Sequence, residues 1–160
     1  MNRRTMIGVA MGAAMMPMVA TARQATPDTD QVERNKETVR RYYDAALAIG
    51  GDPNALDDIV SPNYTSADPQ NAPGLEAFKA RVEDAQRSIA SLFTAYAWVI
   101  DDQIGVGDIV TSRVHLEVTT NDGKQGKISG LEWTEFDADG LMVRTYAEVD
   151  PTKLTELLYG

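Results

Sequence analysis

Residues 106–119 carry the most regular pattern of apolar and polar positions in the chain. Val110, Val114, Leu116 and Val118 fall on one side, with Ser112 among them, and Thr111, Arg113, His115, Glu117 and Thr119 on the other. A period of two sustained this long predicts a strand with one apolar face. Gly107-Asp108 precedes it as a turn signal. Residues 94–101 form another strand, rich in aromatic and β-branched side chains (Tyr96, Trp98, Val99, Ile100). Asn121-Asp122-Gly123-Lys124 is a strong hairpin signal leading into a strand over 127–137, and Asp139-Gly140 turns that strand into a last one over 141–150.

Upstream the period is helical. Val39, Tyr42, Tyr43, Ala46 and Leu47 make a single apolar stripe on a helix over 30–50, which Gly50-Gly51 stops. Asp52-Pro53 opens a short second helix carrying Leu56, Ile59 and Val60, and Ser61-Pro62 ends it. Residues 64–74 read as a loop by composition. A third helix over 75–91 packs Leu75, Phe78, Val82, Ala85 and Ile89, and Pro151 admits a short terminal helix over 152–159. Helices followed by strands imply an α+β fold. Three N-terminal helices pack on a curved antiparallel sheet of four strands or more, and helices closing over the concave side of such a barrel-like sheet leave a pocket.

Residues 1–25 read as an export signal. Arg3-Arg4 forms a positive start, residues 6–20 an apolar run, and Ala20-Thr21-Ala22 a peptidase site with cleavage after Ala22. Arg3-Arg4-Thr5-Met6-Ile7-Gly8 is similar to a twin-arginine signal but lacks its usual phenylalanine, so the Tat and general secretory routes both remain open. Residues 26–160 then form one domain in the periplasm or outside the cell, with no stable membrane anchor after processing.

Net charge is −9. Beyond Ala22 the chain holds 13 basic against 24 acidic residues, or −11. Such a field repels nucleic acid and anionic membrane and leaves a small neutral or cationic ligand as a fitting partner. The absence of cysteine rules out disulfides, thiolate chemistry and cysteine-held metals. A single histidine with scattered acids is a poor metal site, and no metal or cofactor is expected. No Gly-rich phosphate loop and no GxSxG turn occurs.

Turn chemistry sets an expected register. If Asp122 and Gly123 are the two central residues of their hairpin, Arg113 lies opposite Glu132 and His115 diagonal to it. If Asp139 and Gly140 are central in the last hairpin, Glu132 lies opposite Ala147 and Thr134 opposite Thr145. Arg113, His115 and Glu132 would then share one patch suited to acid–base chemistry, with Arg113 holding Glu132 ionised. The alternative is a solvent face, with Arg113–Glu132 an ion pair worth less than about 1 kcal/mol. Tyr43 and Trp98 are candidates for ligand contact or for core. Tyr64 and Ser66 sit on the loop at the expected cavity mouth.

From Asn35 to the C-terminus the chain resembles the SnoaL-like polyketide cyclase family of the nuclear-transport-factor-two-like superfamily. The residues that carry the resemblance are Asn35-Lys-Glu-Thr-Val-Arg-Arg-Tyr-Tyr43, Asn54-Ala-Leu-Asp-Asp-Ile-Val-Ser-Pro-Asn-Tyr64, Pro73-Gly-Leu-Glu-Ala-Phe-Lys79, Gly107-Asp-Ile-Val-Thr-Ser-Arg113, and the strand after Asp139-Gly140 with Asp150 and Leu154 beyond it. The resemblance implies a cone-shaped domain, a small-molecule pocket and a homodimer packed through the other face of the sheet. Arg113-Val114-His115 is similar to the Arg-x-Asp of limonene-epoxide-hydrolase relatives, which implies that Arg113 and His115 face the cavity. Both groups place a catalytic Asp on the last strand, where this chain has Ala147, with Glu148 pointing the other way. Glu132, across from Ala147, is expected to present its carboxylate to nearly the same space.

The sequence thus supports a pocket for a small, mostly apolar organic molecule. Catalysis of cyclase, isomerase or hydrolase type is one reading, with Glu132 as acid or base, His115 its partner, Arg113 the orienter, and Tyr43, Tyr64, Ser66, Trp98 and Ala147 lining the pocket. A non-catalytic periplasmic binding or dimerisation protein is the other.

Overall fold

Helical and strand periods change hands at Phe93, where the second long helix runs directly into the sheet. The computed structural model describes residues 29–160. The expected export signal lies outside the described residues. Helix α1 (Thr29–Tyr42) continues into a π-helical turn (Tyr43–Leu47), followed by a 3-10 turn (Pro53–Asp58), strand β1 (Val60–Ser66) and helix α2 (Leu75–Leu92). Strands β2 (Phe93–Val106), β3 (Ile109–Thr120), β4 (Gln125–Phe136) and β5 (Met142–Val149) form the meander, and helix α3 (Pro151–Tyr159) ends the chain. The architecture is α+β, as the pattern implied, with helices packed on a curved sheet. The described residues include no helix long and apolar enough to cross a membrane.

The sheet has five strands in the order β1-β5-β4-β3-β2, and it is mixed because β1 runs parallel to β5. Strand β1 corrects the end of the expected second helix and the start of the expected loop. Val60, Ser61 and Tyr64 are buried, and the Met142 amide donates to Ile59 O at 2.9 Å. Pro62 is tolerated because β1 lies at the sheet edge. The expected second helix shortens to the 3-10 turn, capped by the Asp52 carboxylate on the Asn54 amide.

One hairpin breaks the expected register. The Thr120 amide donates to Lys124 O at 2.9 Å and the Gly123 amide to Thr120 O at 3.0 Å, so the loop holds three residues, not two. Gly123 takes the left-handed conformation (φ 85°) that such a loop needs. Ser112 therefore opposes Glu132, while Arg113 opposes Leu131 and His115 opposes Ser129. The last hairpin keeps Glu132 opposite Ala147 and Thr134 opposite Thr145. Its loop also holds three residues, with Asp137 bonding to Leu141, but a register shift between Glu135 and Phe136 makes Val143 an extra residue and restores the count.

The inner face of the sheet carries two apolar clusters. Val39, Tyr42, Tyr43, Leu56, Tyr64, Phe78, Val110 and Met142 belong to the larger, under α1 and α2. Phe93, Tyr96, Leu116, Val118 and Ile128 form the smaller, against which Leu154, Leu157 and Leu158 of α3 pack. Trp98 touches both.

Candidate functional site

Among the described residues, Glu132 is the one carboxylate in the buried part of the inner face. It lies on β4 between Gly130 and Thr134, on the same side as Ile128 and Phe136, and is 2% exposed. Removing an acid from water demands hydrogen bonds. The Tyr43 phenol donates to Oε2 at 2.9 Å and the Thr134 hydroxyl to Oε1 at 3.0 Å. No ion pair reaches Glu132 among the described residues. Burial pushes its pKa from 4.5 to about 7, against the two hydrogen bonds, which pull it down. A carboxyl group half-ionised near neutrality suits transfer of a proton in either direction.

Tyr43 reaches Glu132 because it opens the π-helical turn at the end of α1. Such turns shift the side chains that follow onto a new face and recur at functional sites. Burial, then the charge of Glu132, drive the phenol above its ordinary pKa of 10, so it stays protonated and acts as a donor. Its ring meets Trp98 edge-on, with centroids 5.7 Å apart. In front of these two rings lies a cleft of about 420 Å³, bordered by Arg40, Asp44, Asp102 and Gln103. The indole Nε1 of Trp98 and Oε1 of Gln103 are buried without a hydrogen-bond partner among the described residues. One donor and one acceptor are thus unfilled in side chains of the cleft wall. Tyr43 both lines the cleft and binds Glu132, which makes its hydroxyl the shortest connection between ligand space and the buried acid.

The other expected residues are dispersed. Arg113 and His115 stand on the outer face, with the sheet between them and Glu132. The expected three-residue patch, and the cavity placement implied for Arg113 and His115, are corrected by the three-residue loop at Asn121–Gly123. The solvent-face alternative describes Arg113, but its acidic neighbour is Asp101 at 3.9 Å rather than Glu132. His115 is only 8% exposed even there. Its Nδ1 lies 3.0 Å from Asp101, and its Nε2 lies 3.3 Å from Glu117 and 3.2 Å from Lys127 Nζ. Asp101 reaches it because a bulge between Ile100 and Asp102 adds a residue to β2.

Tyr64 is not at a cavity mouth. It is buried on β1, its hydroxyl 2.5 Å from that of Thr145 and its ring 4.4 Å from Phe78. Ser66 organises the following loop, accepting from the Asp68 amide at 3.1 Å and from Asn71 Nδ2 at 3.0 Å. Ala147 does lie opposite Glu132 on the inner face, and it is exposed. Thr134, the second partner of Glu132, was missed by sequence reasoning. The signal was there: Ile128, Glu132, Thr134 and Phe136 share one parity, which sets a lone acid among core positions. No three histidine, cysteine, aspartate or glutamate side chains cluster to hold a metal among the described residues.

A family model described as a SnoaL-like domain matches residues 39–145. No functionally curated protein matches the chain. Solved structures share its fold. TsrD from Streptomyces laurentii is 22% identical and has a TM-score of 0.63, over 82% of this chain and 97% of its own. A SnoaL-like polyketide cyclase from Agrobacterium tumefaciens is 11% identical, with a TM-score of 0.61 over 78% and 97%. An NTF2-like protein of unknown function from Burkholderia pseudomallei is 18% identical, with a TM-score of 0.60 over 79% and 98%.

Proposed function

The chain belongs to the SnoaL-like domain family, and on that premise we propose that it binds a small organic molecule before Tyr43 and Trp98 and rearranges it by proton transfer at Glu132. The observation that carries this reading is the buried Glu132 carboxylate held by the Tyr43 phenol at 2.9 Å. Glu132 takes or gives the proton, Tyr43 relays it or donates to a developing oxyanion, and Thr134 fixes the carboxylate plane. A ligand with a carbonyl for the Trp98 N–H and a hydroxyl for Gln103 would fill both orphaned groups. The polyketide cyclase named among the structural neighbours lends support to cyclisation or isomerisation of such a compound. The test is turnover of aromatic polyketide ketones by the purified domain. Glu132→Gln abolishes turnover with the fold intact, and Tyr43→Phe lowers it. Full activity in Glu132→Gln would refute the mechanism.

Ala147 stands where the resemblance implies a catalytic Asp, and this favours a second reading in which the domain binds its ligand without changing it. Ligand-induced thermal stabilisation without product formation would establish it.

We further propose that the protein is a homodimer and that it is exported. The outer face, with Leu131 54% and Tyr146 50% exposed beside the His115 network, suits a homodimer. Sedimentation of Leu131→Glu as a monomer, against a dimeric parent, tests this. Export through residues 1–25 is tested by following the protein to the periplasm, and exchanging Arg3-Arg4 for Lys-Lys separates the two routes, because it blocks twin-arginine export and leaves general secretion working.

A further inference from the structure

Trp98 and Gln103 both border the cleft before Tyr43, although they lie five residues apart on β2. In an unbroken strand an odd spacing puts two side chains on opposite faces. The bulge removes the conflict. Ile100 pairs with Val114 and Asp102 with Arg113, so Asp101 has no partner residue on β3. The strand then resumes with Gln103 opposite Ser112 and Gly105 opposite Val110. Gln103 therefore shares the inner face with Trp98, which lies opposite Leu116. Bulges beside functional sites re-aim side chains in this way.

The bulge sets Gln103 under α1. Its Nε2 donates to Lys36 O at 3.4 Å and to Ser112 Oγ at 3.3 Å, and its backbone amide donates to Asp102 Oδ1 at 2.9 Å. Both protons of the side-chain amide are thus committed. They hold Oε1 as a buried acceptor with no donor among the described residues. Helix α1 closes so tightly over this stretch that a Cβ on Gly105 would collide with Val32.

Asp101 is held by its side chain instead of by the ladder. Its Oδ1 lies 3.0 Å from His115 Nδ1, whereas the more exposed Arg113 stands off at 3.9 Å. The His115 ring is buried, and its other nitrogen lies 3.3 Å from Glu117 and 3.2 Å from Lys127. It is a fixed post for a residue that β3 leaves unpaired. Asp101 also borders the cleft, so one carboxylate connects the outer network with the ligand space.

We infer that His115 is a positioning residue: through Asp101 it holds the bulge that aims Gln103, and Gln103 then selects ligands that carry a hydroxyl donor. The role takes the cleft before Tyr43 and Trp98 as the ligand site proposed above. His115 itself does not touch the ligand. Loss of its bond to Asp101 releases Gln103, and ligands without the hydroxyl bind as before.

Two ketones read the selectivity by titration calorimetry, 6-hydroxy-2-acetonaphthone and 2-acetonaphthone, which lacks the hydroxyl. The parent binds the hydroxy ketone at least about fivefold more tightly. Asp101→Ala and His115→Leu each abolish this preference by weakening the hydroxy ketone alone. His115→Asn, whose amide nitrogen takes the place of Nδ1, retains it. Asp101→Ala changes a partly exposed side chain and, with an unaltered near-UV spectrum, is the deciding variant if His115→Leu unfolds. A second readout needs no ligand: the side-chain amide NMR signals of Gln103 shift in Asp101→Ala and keep their parent positions in His115→Asn. Equal binding of the two ketones by the parent, an intact preference in Asp101→Ala, or unshifted Gln103 signals in that variant overturns the inference. If neither ketone binds the parent, the reading of the cleft as a ketone site fails instead, and the Gln103 signals alone decide whether His115 holds the bulge.

Discussion

The Tyr43 hydroxyl stands 2.9 Å from Glu132 Oε2, although 89 residues of chain separate the two. The contact joins the end of the first helix to the middle of β4, and it is the only route by which the cleft before Trp98 touches a buried acid directly among the described residues. It also sets what pH does to the protein.

Glu132 makes folding pH-dependent in an unusual direction. Its folded pKa of about 7 exceeds the ordinary 4.5, so the folded chain keeps a proton that the unfolded chain has already released. This group therefore opposes folding progressively from pH 4.5 to 7, by about 3 kcal/mol in total. Glu132→Gln removes that slope. Denaturant unfolding should find the variant more stable than the parent at pH 8 and equal to it at pH 4.

Tyr43→Phe removes one of the two bonds that pull the Glu132 pKa down. The pKa rises further, and the pH–rate limb controlled by Glu132 moves toward alkaline pH. Above pH 7 the variant loses about 1.5–3 kcal/mol of stability, the value of a hydrogen bond to a charged acceptor. Turnover against pH and urea melts at pH 8 check the two effects.

Ala147→Asp places a second carboxyl opposite Glu132, at a Cβ separation of about 4.5–5.5 Å. Two acids so close cannot both ionise readily, and the pair titrates in two separated steps, the upper one above pH 7. A pH–rate profile that splits in this way confirms that both side chains face one space. An unchanged profile refutes it.

Gly123→Ala tests the turn that decides the face of Glu132. At φ 85° a Cβ costs about 1–2 kcal/mol. The loss should appear in thermal melts, whereas Gly126→Ala, where an added Cβ would collide with the Leu157 side chain of α3, should act instead through the seating of Leu157 on the sheet.

The alternation of β3 and the stripe of Val39, Tyr42, Tyr43, Ala46 and Leu47 made the fold class readable from the sequence. Periodicity is a local property, stated by each element in its own residues. The pairing of Glu132 with Ala147 was also legible, although by compensation, since the extra residue in the loop is offset by the extra residue Val143. The edge strand β1 was not legible. Val60 read as the last apolar position of a helix that Ser61-Pro62 ends, and Tyr64–Ser66 as the start of a loop, and only pairing with β5 makes Val60–Ser66 a strand.

The candidate site was legible in part. The sequence identified Glu132, Tyr43 and Trp98 as residues worth attention, and their residue types alone state the available chemistry. Tertiary structure decided which of them meet. A hairpin loop one residue longer than its turn signal moved Arg113 and His115 to the opposite face from Glu132, because side chains alternate with a period of two and a single-residue slip reverses every one. Glu132 acquired its acid–base character the same way, from being carried into a core where only Tyr43 and Thr134 replace the water it left. Type and period belong to the chain, but register and burial are settled only when the strands close.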